Sequence, residues 1–225
     1  AMLEGNGIAK QMFPTQVYAA TTNTYEGFEY EVNTNENNKE VTITKYTGSD
    51  ASVTVPDTID GLPVTRVGER AFNANGQIVS VQIGKNVKSI GRYAFSSSGN
   101  LKTVQLSNAV TILERGAFSD CKNLKEIIWG NGLETLENDV FANCANLTTL
   151  TIPESVITVG ESAFYGCSNL IEVTIGDQVT SIGNSAFQNA VNLTKLTLGN
   201  NVATLGERAF AGCTNLTEVT FGMNL

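Results

Sequence analysis

The stretch Val159-Gly160-Glu161-Ser162-Ala163-Phe164-Tyr165-Gly166-Cys167-Ser168-Asn169-Leu170 decides the fold, because its pattern returns along the chain at one fixed interval. Its phenylalanine recurs every 23 residues, at Phe72, Phe95, Phe118, Phe141, Phe164, Phe187 and Phe210, without a slip. Alanine precedes six of the seven, Val140 being the exception. A constant period of this length marks a solenoid, in which each repeat is one coil stacked on the last.

Counting forward from each phenylalanine extends the register. Six residues on stand Ile78, Leu101, Leu124, Leu147, Leu170, Leu193 and Leu216. Nine on stand Val81, Val104, Ile127, Leu150, Val173, Leu196 and Val219, and eleven on Ile83, Leu106, Trp129, Ile152, Ile175, Leu198 and Phe221. Apolar residues two apart with a polar one between follow the strand period, so each coil is expected to carry one short parallel strand with these side chains inward. Trp129 sits at such an inward offset and is expected in the core. Glycine or proline usually follows and turns the chain out (Gly84, Gly130, Pro153, Gly176, Gly199, Gly222), with Ser107 the exception. A second apolar pair comes next, as in Val87 with Ile90 and Val179 with Ile182. Glycine then precedes the next Ala-Phe at Gly91, Gly160, Gly183 and Gly206, with Glu114 and Glu137 in two coils. The G-x-x-A-F-x-x-C segment reads as a short helical turn whose phenylalanine plugs the core from the convex side.

The expected fold is thus an α/β solenoid of seven 23-residue coils with a parallel strand ladder. Residues 64–225 form it, residues 25–63 an N-terminal β cap and first irregular coil, and residues 1–24 a flexible leader or a remnant of the expression vector. The cap is read from strand alternation in Phe28-Glu29-Tyr30-Glu31-Val32 and Val41-Thr42-Ile43-Thr44-Lys45-Tyr46, joined by a long Asn-rich turn, Asn33 to Asn38. Val53-Thr54-Val55-Pro56 mimics a strand and its exit, and Asp57 to Pro63 lengthens that coil. The first residues lack the basic start and apolar core of a signal peptide, and Val17-Tyr18-Ala19 matches a processing site weakly. At the other end the pattern stops mid-coil at Leu225, so the expectation there is a truncated solenoid or end-to-end self-association through an uncapped coil.

Net charge is −8 with 16% charged residues and no basic cluster, which argues against nucleic acid and anionic membranes as partners. No apolar run approaches membrane-spanning length, so no membrane insertion is expected of this segment. Cys121, Cys144 and Cys167 are one repeat apart, and Cys213 holds the same offset. Such a ladder has parallel side chains, unsuited to a disulfide between adjacent coils, and without histidine it is a poor zinc site. Buried free thiols are expected. Beside them run Asn100, Asn123, Asn146, Asn169, Asn192 and Asn215, suited to bonding the backbone of their own or the next coil. Three of these also read as N-L-T sequons, a consequence of the obligatory leucine and abundant threonine.

The string I-G-x-x-A-F-x-x-C-x-x-L-x-x-V-x-I-P, clearest at Ile182-Gly183-Asn184-Ser185-Ala186-Phe187 and at Val159 to Leu170, resembles the BspA-like (Treponema pallidum type) leucine-rich repeat family. The preface Ile43 to Gly48, Val55-Pro56 and Ile59 to Val64 also looks like the start of such domains. The resemblance implies a bacterial surface or secreted protein, often of a host-associated species, that contacts proteins of the host or of other bacteria. It fixes the fold far better than the ligand.

With no histidine, Ser-His-Asp and Cys-His constellations cannot be built. Glu126, Glu172 and Glu218 share one offset on alternate coils, but glycoside chemistry also needs a pocket. No phosphate-binding G-x-x-x-x-G-K-[ST] loop is present. The chain is therefore read as no enzyme, with no cofactor and no metal. The remaining candidate is the concave strand face: Gln82, Gln105, Glu126, Thr149, Thr151, Glu172, Thr174, Lys195, Thr197, Glu218 and Thr220. Threonine also simply suits strands, and this track lacks the exposed Trp, Tyr and Arg of interface hot spots. Tyr93 and Tyr165 are expected exposed on the convex side. Two functions follow: a binding or adhesion module for protein or glycan on a host or neighbouring cell, or a structural spacer that projects another domain from the envelope.

Overall fold

The computed structural model describes residues 22–35 and 38–223. Strands β1 (Asn23–Tyr25), β2 (Phe28–Asn35) and β3 (Asn38–Tyr46) open it as an antiparallel meander. The Asn-rich run belongs largely to the strands, with Asn33, Thr34 and Asn35 paired to Glu40, Lys39 and Asn38, so the strands extend through most of the expected long turn. The leader and its weak processing site lie almost wholly outside the described residues.

Two ladders follow. The first comprises β4 (Ser52–Thr54), β7 (Ser80–Gln82), β9 (Thr103–Gln105), β11 (Glu126–Ile128), β13 (Thr149–Ile152), β15 (Glu172–Ile175), β17 (Lys195–Thr197) and β19 (Glu218–Thr220). The second comprises β6 (Leu62–Val67), β8 (Ser89–Ile90), β10 (Ile112–Leu113), β12 (Thr135–Leu136), β14 (Thr158–Val159), β16 (Ser181–Ile182) and β18 (Thr204–Leu205). All pairings along both ladders are parallel. The first ladder has eight strands, so the solenoid has about eight turns and not seven. The additional turn is the irregular one: β4 pairs in register with β7, and β6 with β8. Its added length is a small hairpin between β5 (Thr58–Ile59) and β6, turned by Asp60 and Gly61, both at positive φ. The cap joins the stack through β3, which pairs parallel to β6 and covers the end of the second ladder.

The phenylalanines form a column through the middle. Neighbouring rings stack at 4.5–5.4 Å with interplanar angles of 1–16° from Phe72 to Phe210. Tyr46 of the cap stacks on Phe72 at 5.2 Å, and Phe28 packs on Tyr46, so the hairpin ends the column with rings of its own. The leucine and valine rows are buried around it in most coils, Leu101, Val104, Leu170 and Val173 fully so, while Ile127 and Leu216 are half-buried and Val219 is exposed. Burial at about 25 cal/mol per Å² of apolar surface makes this shared interior the dominant stabilising term, and no single coil could form it alone.

No helix occurs among the described residues, so the expected helical turn around Ala-Phe is replaced by something else. Amides alternate between their own coil and the next. Ala94, Ser96 and Ser98 donate to Gly91, Tyr93 and Phe95 within the coil, while Tyr93, Phe95 and Ser97 donate to Arg115, Ala117 and Ser119 of the following coil. This alternation requires left-handed backbone at two positions flanking every phenylalanine, two residues before and two after. Glycine fills only three of them, Gly116, Gly166 and Gly212; Arg70, Ala74, Tyr93, Ser97, Asp120 and others hold the rest at φ of 53–64°. Such residues persist there because the neighbouring coil supplies their hydrogen bonds. An α-helix would bond only to itself and leave the next coil's carbonyls unpaired.

Candidate functional site

Strand alternation places the eleven residues singled out in sequence on the outer side of the first ladder. Val104, Leu150, Val173 and Leu196 point into the core, and the residues between them point out. Pairing aligns Thr149, Glu172, Lys195 and Glu218 in one row, and Thr151, Thr174, Thr197 and Thr220 in the next. Thr174 and Thr197 are half-buried between their neighbours, while Thr151 and Thr220 are exposed. Lys195 bridges to Glu172 at 3.2 Å. That hydrogen bond, then the charges of Glu172 and Glu218, raise the lysine's affinity for its proton. The group is solvent-exposed, so the row is an ordered charge pattern more than a source of stability.

Gln82, Gln105 and Glu126 belong to a separate sheet. The first ladder is divided: β4, β7, β9 and β11 form one four-stranded sheet, β13, β15, β17 and β19 another. The structure therefore brings together eight of the eleven residues and sets the other three beyond a break.

Trp129 stands at that break. Its offset predicts a core position, but it is only half-buried and packs edge-on to Phe141, with ring centroids 5.7 Å apart at 83°. Its counterparts Ile83, Leu106, Ile152, Ile175 and Leu198 are buried. An indole at a position shaped for leucine or isoleucine is too large to be enclosed, and part of it turns outward.

A second feature, which the repeat pattern does not predict, is a trough of about 630 Å³ running beside the second sheet. Asn146, Asn169, Asn192 and Asn215 line one side, and Lys125, Thr148, Ile171 and Thr194 the other. Its one signal in the sequence is Ile171, an apolar residue amid a polar row, whose side chain is 49% exposed. The asparagine ladder partly follows its expected role. Asn100 and Asn123 donate to the carbonyls of Gly76 and Gly99 at 2.6 Å, whereas Asn146 and Asn192 donate to the side chains of Asn123 and Asn169.

The cysteines are free, with Cys121, Cys144 and Cys167 buried and Cys213 half-buried. Burial pushes the thiols of Cys121 and Cys167 up to about 12, which makes them inert structural groups. Tyr93 and Tyr165 are also only half-buried, and both are engaged. Arg70 lies over the Tyr93 ring at 5.5 Å, and Asn189 donates to the Tyr165 hydroxyl at 3.2 Å. Among the described residues no three Cys, Asp or Glu side chains gather as a metal site, and no helix is long and apolar enough to cross a membrane.

Comparison with known proteins agrees with this architecture. The model of the BspA type leucine rich repeat region matches residues 46–158 and 134–225, in six copies. The crystal structure of a T. pallidum leucine rich repeat protein superposes with a TM-score of 0.78 at 27% identity, covering 87% of this chain and 91% of that one. A leucine rich cell surface protein from Faecalibacterium prausnitzii superposes with a TM-score of 0.76 at 29% identity, over 91% of this chain and 55% of that one. A leucine-rich repeat protein from Bacteroides ovatus, 18% identical with a TM-score of 0.57 over 88% of this chain and 76% of that one, shares the fold. No curated protein matches the sequence. The 23-residue coil, its stacked phenylalanines and the matched segments establish that this chain belongs to the BspA-type leucine-rich repeat family.

Proposed function

We propose that this chain is a non-catalytic binding module that holds an extended partner, a protein or glycan of a host or neighbouring cell, along the strand face of its second sheet. The observation that carries the reading is the in-register row Thr151, Thr174, Thr197 and Thr220, flanked by the Glu172, Lys195 and Glu218 row. It presents hydroxyls and alternating charge at the strand spacing of about 4.7–4.9 Å. The adjoining trough adds a channel parallel to it, so a linear ligand would find repeated contacts along one direction. Solenoids characteristically bind through such extended surfaces. A cell-surface or secreted setting is supported by the likeness to the F. prausnitzii protein described as a cell surface protein.

The test replaces Thr151, Thr174 and Thr197 with lysine and compares capture on immobilised extracellular-matrix extract and on a glycan array. These side chains point outward, so the circular dichroism spectrum and Tm should be preserved while capture falls at least tenfold. Equal capture by the variant removes the strand face from consideration. No capture by either protein would favour the spacer role.

A further inference from the structure

One junction of the first ladder lacks the bonds that its neighbours have. At the equivalent place Lys102 donates to Val79, Lys125 to Lys102, Ile171 to Thr148, Thr194 to Ile171 and Thr217 to Thr194, all at 2.7–3.1 Å. Between β11 and β13, among the described residues, no such bond and no strand pairing exists. The opening is confined to this face. Phe118 and Phe141 remain stacked at 5.3 Å, and β10, β12 and β14 pair without interruption. The slot is also tied at both ends, by Asn146 to Asn123 at 3.1 Å before it and by Ile157 to Glu134 at 2.9 Å after it. Trp129 is the wedge. It leaves a cavity of about 230 Å³ bordered by Glu126, Ile127, Thr149 and Thr151 as well as its own ring.

We propose that this slot is a subsite for one pyranose unit of a glycan. The inference rests on the strand face being the binding surface, and it names a ligand class for one point of that face. A pyranose ring has an apolar face of C–H groups that lies on an indole, and a rim of hydroxyls that needs both donors and acceptors. Glu126 supplies a strong acceptor, Thr149 and Thr151 supply hydroxyls, and the unpaired backbone of β11 and β13 supplies amides and carbonyls. The volume lies below the roughly 300–1,000 Å³ of drug-sized ligand sites, as befits a single ring. An extended peptide would instead need a full strand spacing of about 4.7–4.9 Å on each side, which the two ties prevent.

Trp129 is the only tryptophan in the chain, so its emission reports the slot directly. Oligosaccharides of glucose, galactose, mannose and N-acetylglucosamine are titrated separately to about 10 mM, ten times the 1 mM scale of weak binding. Fluorescence is followed on the unaltered chain and isothermal calorimetry on the variants. A saturable blue shift with at least one sugar is expected. Trp129→Leu, which restores the residue type of the other coils, should abolish the calorimetric signal while raising Tm as the ladder closes. Glu126→Gln should weaken binding at least tenfold with Tm unchanged. Absence of a shift with every sugar overturns the proposal, as does undiminished binding by Trp129→Leu or a shift produced only by an extended peptide. If the titration fails while the threonine variant still loses capture, the subsite falls and the strand-face reading stands.

Discussion

The thiol of Cys144 donates to the carbonyl oxygen of Phe118, 26 residues earlier, across 3.2 Å. Cys121, Cys167 and Cys213 do the same for Phe95, Phe141 and Phe187, and the hydroxyl of Ser98 does it for Phe72 at 2.9 Å. Each of these carbonyls also accepts the amide three residues ahead in its own coil. The row therefore favours a small side chain with one donor, which suits serine and cysteine, while the fully buried Ala190 shows that small size is the stricter demand. Cys144→Ser keeps the donor and should cost less than about 1 kcal/mol. Cys144→Val removes it and overfills the site, and should cost about 2 kcal/mol. Chemical denaturation of the two variants checks the difference.

The same thiols make stability sensitive to alkali. Burial raises Cys121 and Cys167 from 9.0 to about 12 and raises Cys144 well above its ordinary value. Unfolded thiols ionise first as pH rises, so the stabilising contribution is complete below about pH 9 and is lost as pH climbs towards 12. The slope is at most about 1.4 kcal/mol per pH unit for each thiol. A variant with serine at all three positions should show a flatter decline of Tm between pH 9 and 11 than the unaltered chain.

Left-handed backbone beside each phenylalanine predicts opposite effects of glycine exchange. Ala74 has φ of 54°, so Ala74→Gly should raise stability by a few tenths to about 1 kcal/mol, the relief of strain exceeding the added unfolded-state entropy. Gly166 has φ of 70°, and a Cβ there would stand 2.5 Å from Oδ1 of Asn143. Gly166→Val should therefore cost at least about 2 kcal/mol. Thermal unfolding measures both.

Loss of one ring from the column should be felt locally. Phe141 is fully buried between Phe118 and Phe164. Phe141→Ala should cost about 3–5 kcal/mol. Because each coil packs chiefly on its immediate neighbours, hydrogen exchange should accelerate most in the coils of Phe118, Phe141 and Phe164, with the hairpin cap least affected.

Arg66 of β6 reaches across β8 to the Glu114 carboxylate with both terminal nitrogens, one of them at 2.9 Å from Oε2. Glu114 replaces the glycine found there in most coils, so the exchange provides a clamp over two junctions near the cap. Arg66→Lys keeps the charge and loses the planar fork, and should cost about 1 kcal/mol. A double-mutant cycle with Glu114→Gln measures the coupling.

Periodicity carried most of the architecture. A chain that repeats every 23 residues must place equal offsets above one another, so the phenylalanine column, the strand rows and the free buried cysteines could be read from spacing alone. The helical expectation around Ala-Phe failed for a physical reason. Its apolar spacing suits a helix, but the carbonyls of each coil also need donors from the next, and only alternating left-handed turns supply them. That demand arises between coils and is invisible within one.

The threonine rows are a case of what spacing settles: period fixes which residues become neighbours, because translation along a stack is a one-dimensional operation. Trp129 is the contrary case. Letters in a row are equivalent by offset, yet an indole exceeds the room that a leucine leaves, and the excess volume had to be relieved somewhere. The tertiary structure relieved it by parting β11 from β13 while the phenylalanines and the second ladder held the stack together. Which contact gives way is set by the balance of packing around all sides of the coil, a property of the assembled solenoid.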